Sequence, residues 1–118
     1  MKLFFALILA LAPLTSLFSQ DCILMPAHFT SYNAATAWVQ KASFKFTDNI
    51  NTSKSSWIRS ASYYSCDGKT GFFIFSTDDM EYIHANMPVS IWNEFKHADS
   101  FGKYYNLKIK HRYQYYLN

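Results

Sequence analysis

The chain has 118 residues, half of them hydrophobic and 19% aromatic, with a formal net charge of +3. That length suits one domain with one modest core, and so small a charge does not by itself imply a polyanion partner. Two cysteines and four scattered histidines (His28, His84, His97, His111) lack the regular ligand spacing of a metal site, so neither metal nor cofactor is expected.

Met1-Lys2 supplies one positive charge, Leu3 to Leu14 is an apolar run broken only by Pro13, and Thr15 to Gln20 turns small and polar. This is the order of a secretory signal peptide, assigned here to residues 1–20 with cleavage after Ser19 or Gln20. The apolar run is shorter than the ~20 residues a bilayer span requires, so no stable membrane insertion is expected. Ser19-Gln20-Asp21 ahead of Cys22 does not resemble a lipobox. The expected product is exported and soluble, in the periplasm or outside the cell. Export also meets an oxidising compartment, which makes a bridge between Cys22 and Cys66 the expected state of the two thiols. Closing so long a loop would stabilise the fold by ~3–4 kcal/mol. The alternative is two unpaired thiols.

Residues 21–55 read as a helical extension and linker. Pro26 bars a helix through Ile23 to Phe29, and Ser31 can cap a helix over about Tyr32 to Lys41, with Ala35, Trp38, Val39 and Ala42 on one face. Phe44 to Thr47 alternates as a short strand would, and the polar Asp48 to Ser56 reads as a loop. Residues 56–118 carry sharper patterns. Trp57 to Ser65 and Gly71 to Thr77 flank Asp67-Gly68, a strong hairpin cue, and Asp78-Asp79 turns the chain into Met80 to Ala85. Phe73 and Phe75 share one face of the middle strand, Phe72 and Ile74 the other, so a helix is expected on each side. Pro88 suits the first turn of a helix carrying Ile91, Phe95 and Ala98, widened by Val89 and Trp92. Gly102 reads as the left-handed residue that ends it. The fold class is therefore α+β: an antiparallel meander of about three strands, an N-terminal helix, and a helix after the third strand. The tail from Lys103 alternates aromatic and basic residues, consistent with either a strand or a helical turn.

Several of these residues together resemble the KTSC domain, a bacterial module found alone or at the C-terminus of some lysyl-tRNA synthetases. The resemblance runs from Ser56-Trp57-Ile58 through Asp67-Gly68, Tyr82-Ile83-His84 and Met87-Pro88 to the helix with Trp92, Phe95 and Ala98. Ser100-Phe101-Gly102, Tyr105-Asn106, Ile109 and Tyr113 complete it. His84 departs from the family pattern, which has a second aromatic there. The synthetase attachment implies RNA binding as a family role.

Function reads first as a non-enzymatic binding module. Its candidate surface joins Tyr82, His84, Tyr104, Tyr105 and Asn106 to the cations Lys108, Lys110 and Arg112, since aromatic platforms beside cations hold single-stranded nucleic acid. Export separates the protein from cellular RNA, so an envelope polysaccharide or another protein is the expected partner and nucleic acid the alternative. A second alternative is a small hydrolase built on Cys66 with His84 or His97, oriented by Asp78, Asp79 or Glu81. Both aspartates already serve as turn residues, and oxidation of Cys66 removes the nucleophile, so no catalytic set is assigned.

Overall fold

The computed structural model describes residues 20–117, so the leader assigned to residues 1–20 lies outside the described residues except for Gln20. Helix α1 spans Tyr32–Lys41, with the Ser31 hydroxyl accepting from the Ala34 N–H at 3.1 Å. Four strands follow: β1 (Phe46–Ile50), β2 (Ser60–Ser65), β3 (Thr70–Ser76) and β4 (Glu81–Pro88). They form one antiparallel sheet in the order β1-β2-β3-β4. Helix α2 (Val89–Lys96) and the short α3 (Phe101–Tyr104) then run into a π-helical turn, Tyr105–Ile109.

The expected α+β class holds, with one correction: the sheet has four strands, not three. Asp48 and Asn49, read as the start of a loop, lie within β1, opposite Tyr63 and Ser62 of β2. Their type is depleted in strands. Here tertiary contacts override the preference, because the Asp48 carboxylate accepts from the Trp92 indole N–H and from Lys96 Nζ, each at 2.8 Å. Burial by itself would raise the Asp48 pKa, but these donors and the Lys96 charge outweigh it and hold the pKa below its ordinary value.

Both tight turns form where the sequence places them. In the first, Gly68 takes φ +79°, and the Asp67 carboxylate accepts from the Lys69 and Thr70 N–H groups at 2.8 and 3.0 Å. In the second, the Thr77 hydroxyl accepts from Asp79 and Met80, while Asp78 pairs with Arg59 at 2.8 Å.

Alternation along β3 then divides the core in two. On one face Phe73 and Phe75 join Tyr63, Met87, Trp92, Phe95, Phe101 and Ile109, all buried beneath α2, α3 and the π turn. On the other, Ile74 and Ile83 meet Ala35 and Val39 of α1, with Trp38, Phe44 and Phe72 around them. Each large side chain removed from water contributes ~1.5–3 kcal/mol, so this ring-dense pair of cores suffices for a small domain. The Cys22–Cys66 disulfide is formed, with Cα atoms 5.9 Å apart, and staples the segment before α1 to the first hairpin. Beside it, Cys22 N–H donates to Ser43 O at 3.0 Å and Ser43 N–H to Gln20 O at 2.7 Å.

A β-bulge in β4 fixes what faces the larger core. Phe73 pairs with His84 and Gly71 with Met87, so two residues of β4, Ala85 and Asn86, oppose Phe72 alone. Asn86 absorbs the extra residue at φ +58°, a left-handed conformation that Asn tolerates. Because side chains alternate with period two, an unbulged strand would send His84 and Met87 to opposite faces. With the bulge, both face the aromatic core.

Two glycines are set by close approach. A Cβ on Gly71 would overlap the backbone carbonyl of Tyr64, which cannot swing aside. Gly71→Ala should therefore destabilise by about 1–3 kcal/mol, read as a lower urea midpoint at unchanged slope. Gly102 does not end α2 as its sequence position suggests. It lies inside α3, where a Cβ would overlap the Trp57 indole, and α2 instead ends through His97 at φ −103°. Among the described residues, no helix is long and apolar enough to cross a membrane.

Candidate functional site

After the π turn, His111 takes φ +68° and the chain folds back along the outer edge of β4. Ala85 N–H donates to the Tyr113 carbonyl at 3.0 Å, and His84 forms an antiparallel bridge with Gln114. The segment thereby crosses the sheet edge, placing Tyr113 against the larger core and Tyr115 against the smaller one.

Between this segment, β4 and the start of α1 lies a groove of about 650 Å³. Ser31, Tyr32 and Asn33 line it from α1, Met80 to His84 from β4, Tyr105 from the π turn, and Gln114 to Tyr116 from the tail. A second, smaller hollow of about 330 Å³ lies between the Asn51–Ser53 loop and β2.

The groove is built on an aromatic stack. The Tyr82 ring lies on Phe75, centroids 4.9 Å apart and planes 17° from parallel. The His84 ring is nearly parallel to Phe75, with centroids 6.1 Å apart and planes 7° from parallel. His84 is also the polar pin that holds the tail to the sheet. Its Nδ1 donates to the Tyr113 carbonyl at 3.1 Å, which makes Nε2 the acceptor for the Tyr105 hydroxyl at 2.9 Å. A carbonyl can only accept, so this neutral tautomer follows from the partners. Burial lowers the His84 pKa below its usual 6.5, partly offset by the Tyr113 carbonyl, while burial pushes the Tyr105 hydroxyl up to about 12. Folded His84 thus refuses a proton that the unfolded chain accepts below pH 6.5. Stability is full above that value and declines as pH falls from 6.5 toward the folded pKa. His84→Gln, which can donate and accept at the same two places without titrating, should flatten this slope in melts run between about pH 7.5 and 5.5.

Of the surface expected from the sequence, the fold brings Tyr82, His84 and Tyr105 together in the groove. Tyr82 is exposed, whereas His84 and Tyr105 are buried in its floor, each 7% exposed. The others stand apart. Tyr104 packs edge-on against Phe95 and donates to Glu94 at 2.7 Å; burial is the larger cause, ahead of that contact, of its raised pKa. Asn106, Lys108, Lys110 and Arg112 are exposed but do not line the groove. Sequence reasoning missed Tyr32, Asn33, Gln114, Tyr115 and Tyr116. The one available cue was the tail's alternation, with Tyr113 and Tyr115 inward and Gln114 and Tyr116 outward, the period of a strand.

Cys66 is bonded to Cys22, so its sulfur is not a free nucleophile beside His84. The Asp21 carboxylate lies within 4.8 Å of the two sulfurs, but sulfurs bonded to each other are not thiolate ligands.

A four-stranded meander with helices on both faces, its edge closed by its own tail, defines a small α+β domain. The model of the KTSC domain matches residues 54–113, just over half of the chain, and the protein belongs to that family. The match takes in β2 to the tail, while α1 and β1 precede it. No curated protein and no solved structure shows detectable similarity to the chain.

Proposed function

We propose that the protein is an exported, non-enzymatic binding module that takes its ligand in the groove between β4, the tail and α1. One observation carries this reading: the concavity gathers Tyr82, His84 and Tyr105 with three further tyrosines, and Phe75 of the core backs the Tyr82 and Tyr105 rings. Preformed, largely apolar concavities with a few polar groups are the usual form of ligand sites. The leader pattern and the disulfide both favour an oxidising compartment outside the cytoplasm. Envelope polysaccharide and protein are the partner classes this location offers.

The RNA role implied by the family gains little from the groove, since Lys108, Lys110 and Arg112 are not among its lining residues. A hydrolase gains less, because the Cys66 sulfur is bridged and both His84 nitrogens are engaged. Nuclear magnetic resonance of labelled protein with a mixed set of small saccharides, short peptides and mononucleotides tests the site. Amide shifts should cluster at Ser31 to Asn33, Glu81 to His84 and Gln114 to Tyr116. Clustering around Lys108 to Arg112 would overturn the groove as the site.

A further inference from the structure

We propose that the groove is built for a neutral saccharide, held by stacking on Tyr82 and Tyr116; this rests on the groove being the ligand site. Tyr82 is a platform rather than a loose ring. Phe75 stacks on the ring at 4.9 Å and fixes its orientation, while Tyr82 stays 39% exposed and lines the groove. Tyr116, 73% exposed, lines the same groove from the tail, where the antiparallel His84–Gln114 bridge sets it alongside β4. An aromatic face is negative, and the C–H bonds on one face of a sugar ring present weak positive charge to it, so rings and sugars pack flat.

A sugar also needs partners for its hydroxyls, which both donate and accept. Asn33 and Gln114 each offer an amide that does both, and Glu81 is an acceptor. Glu81 already accepts from Gln40 at 3.0 Å, which fixes one carboxylate oxygen and leaves the second to face other donors. These groups separate the candidates. A phosphate-bearing ligand would meet Glu81 with no lysine or arginine among the lining residues to offset it. A proline-rich peptide would also pack on tyrosines, but its backbone lacks N–H groups at the prolines to satisfy an acceptor-only carboxylate. A neutral glycan satisfies both the rings and the polar set.

The test is a panel of immobilised neutral hexose and N-acetylhexosamine oligosaccharides, with a proline-rich peptide and a single-stranded oligonucleotide as comparators. At least one glycan should bind, with affinity unchanged between about 0.05 and 0.5 M salt. Tyr82→Ala and Tyr116→Ala should each weaken it at least about tenfold. Tyr116 is so exposed that its variant retains the fold, and a matching melt checks Tyr82→Ala. Binding of peptide or oligonucleotide alone, lost in the same variants, would overturn the saccharide while leaving the groove as the site. Glycan binding indifferent to both substitutions would overturn the groove itself. A panel with no glycan bound sinks the saccharide proposal.

Discussion

Trp92→Ala should be the most damaging single substitution in the protein, costing about 3–5 kcal/mol. The indole is fully buried and stacks on Tyr63, centroids 5.6 Å apart and planes 11° from parallel. It also touches Phe73 at 5.9 Å and Phe95 at 5.9 Å, so its loss opens a cavity lined by rigid rings that collapse poorly. The same change removes one of the two side-chain donors to Asp48 and so loosens β1, the strand least supported by its own sequence. Domains of this size are stable by only ~5–15 kcal/mol in total. The expected result is a melting temperature lower by roughly 15 °C or more, with Trp92→Phe losing clearly less because it keeps most of the stack. Equal losses in the two variants would mean that the Asp48 contact, rather than packing, dominates.

The second large effect belongs to the disulfide. Replacing both cysteines, Cys22→Ser with Cys66→Ser, should cost about 4 kcal/mol, from the sequence separation of 44 that the bridge closes. Reductant added to the unaltered protein should give the same shift in urea midpoint, while native oxidised protein shows no titratable thiol. The damage should be uneven. The bridge ties down the segment carrying Met25 and Phe29, which pack under α1, so the smaller core opens first. Hydrogen exchange should accordingly speed up across Tyr32–Lys41 more than across β3. Uniform acceleration would show instead that the two cores unfold as one unit.

How much of this was legible follows from how local each cue was. Ser31, Asp67 and, at the Asp78-Asp79 turn, Thr77 act on neighbours within three residues, so the cap and both turns are readable directly. Phe73 and Phe75 against Phe72 and Ile74 disclosed both buried faces of β3, because strand alternation is also local. β1 was not legible. Asp48 belongs in a strand only because Trp92 and Lys96, more than forty residues away in sequence, supply its donors. Gly102 misled for a related reason: the glycine answers to Trp57, not to its own helix end. The candidate site was half visible. Tyr82, His84 and Tyr105 stood out as ring platforms and as part of the family resemblance, but the tail that completes the groove joins β4 through a bulge and a π turn, which leave little trace in residue type.

The path of the tail has a consequence for how the groove is completed. The groove draws on residues 31–33 and 114–116, close to the two ends of the described chain, and its wall is pinned by a carbonyl of Tyr113. The order along the chain therefore matters: the wall that closes the groove is supplied by the last described residues, and it is held in place only once Tyr113 reaches Ala85 and His84. A chain lacking residues 113–117 would open the edge of β4, leave His84 Nδ1 and Ala85 N–H without their acceptor, and strip one wall from the groove.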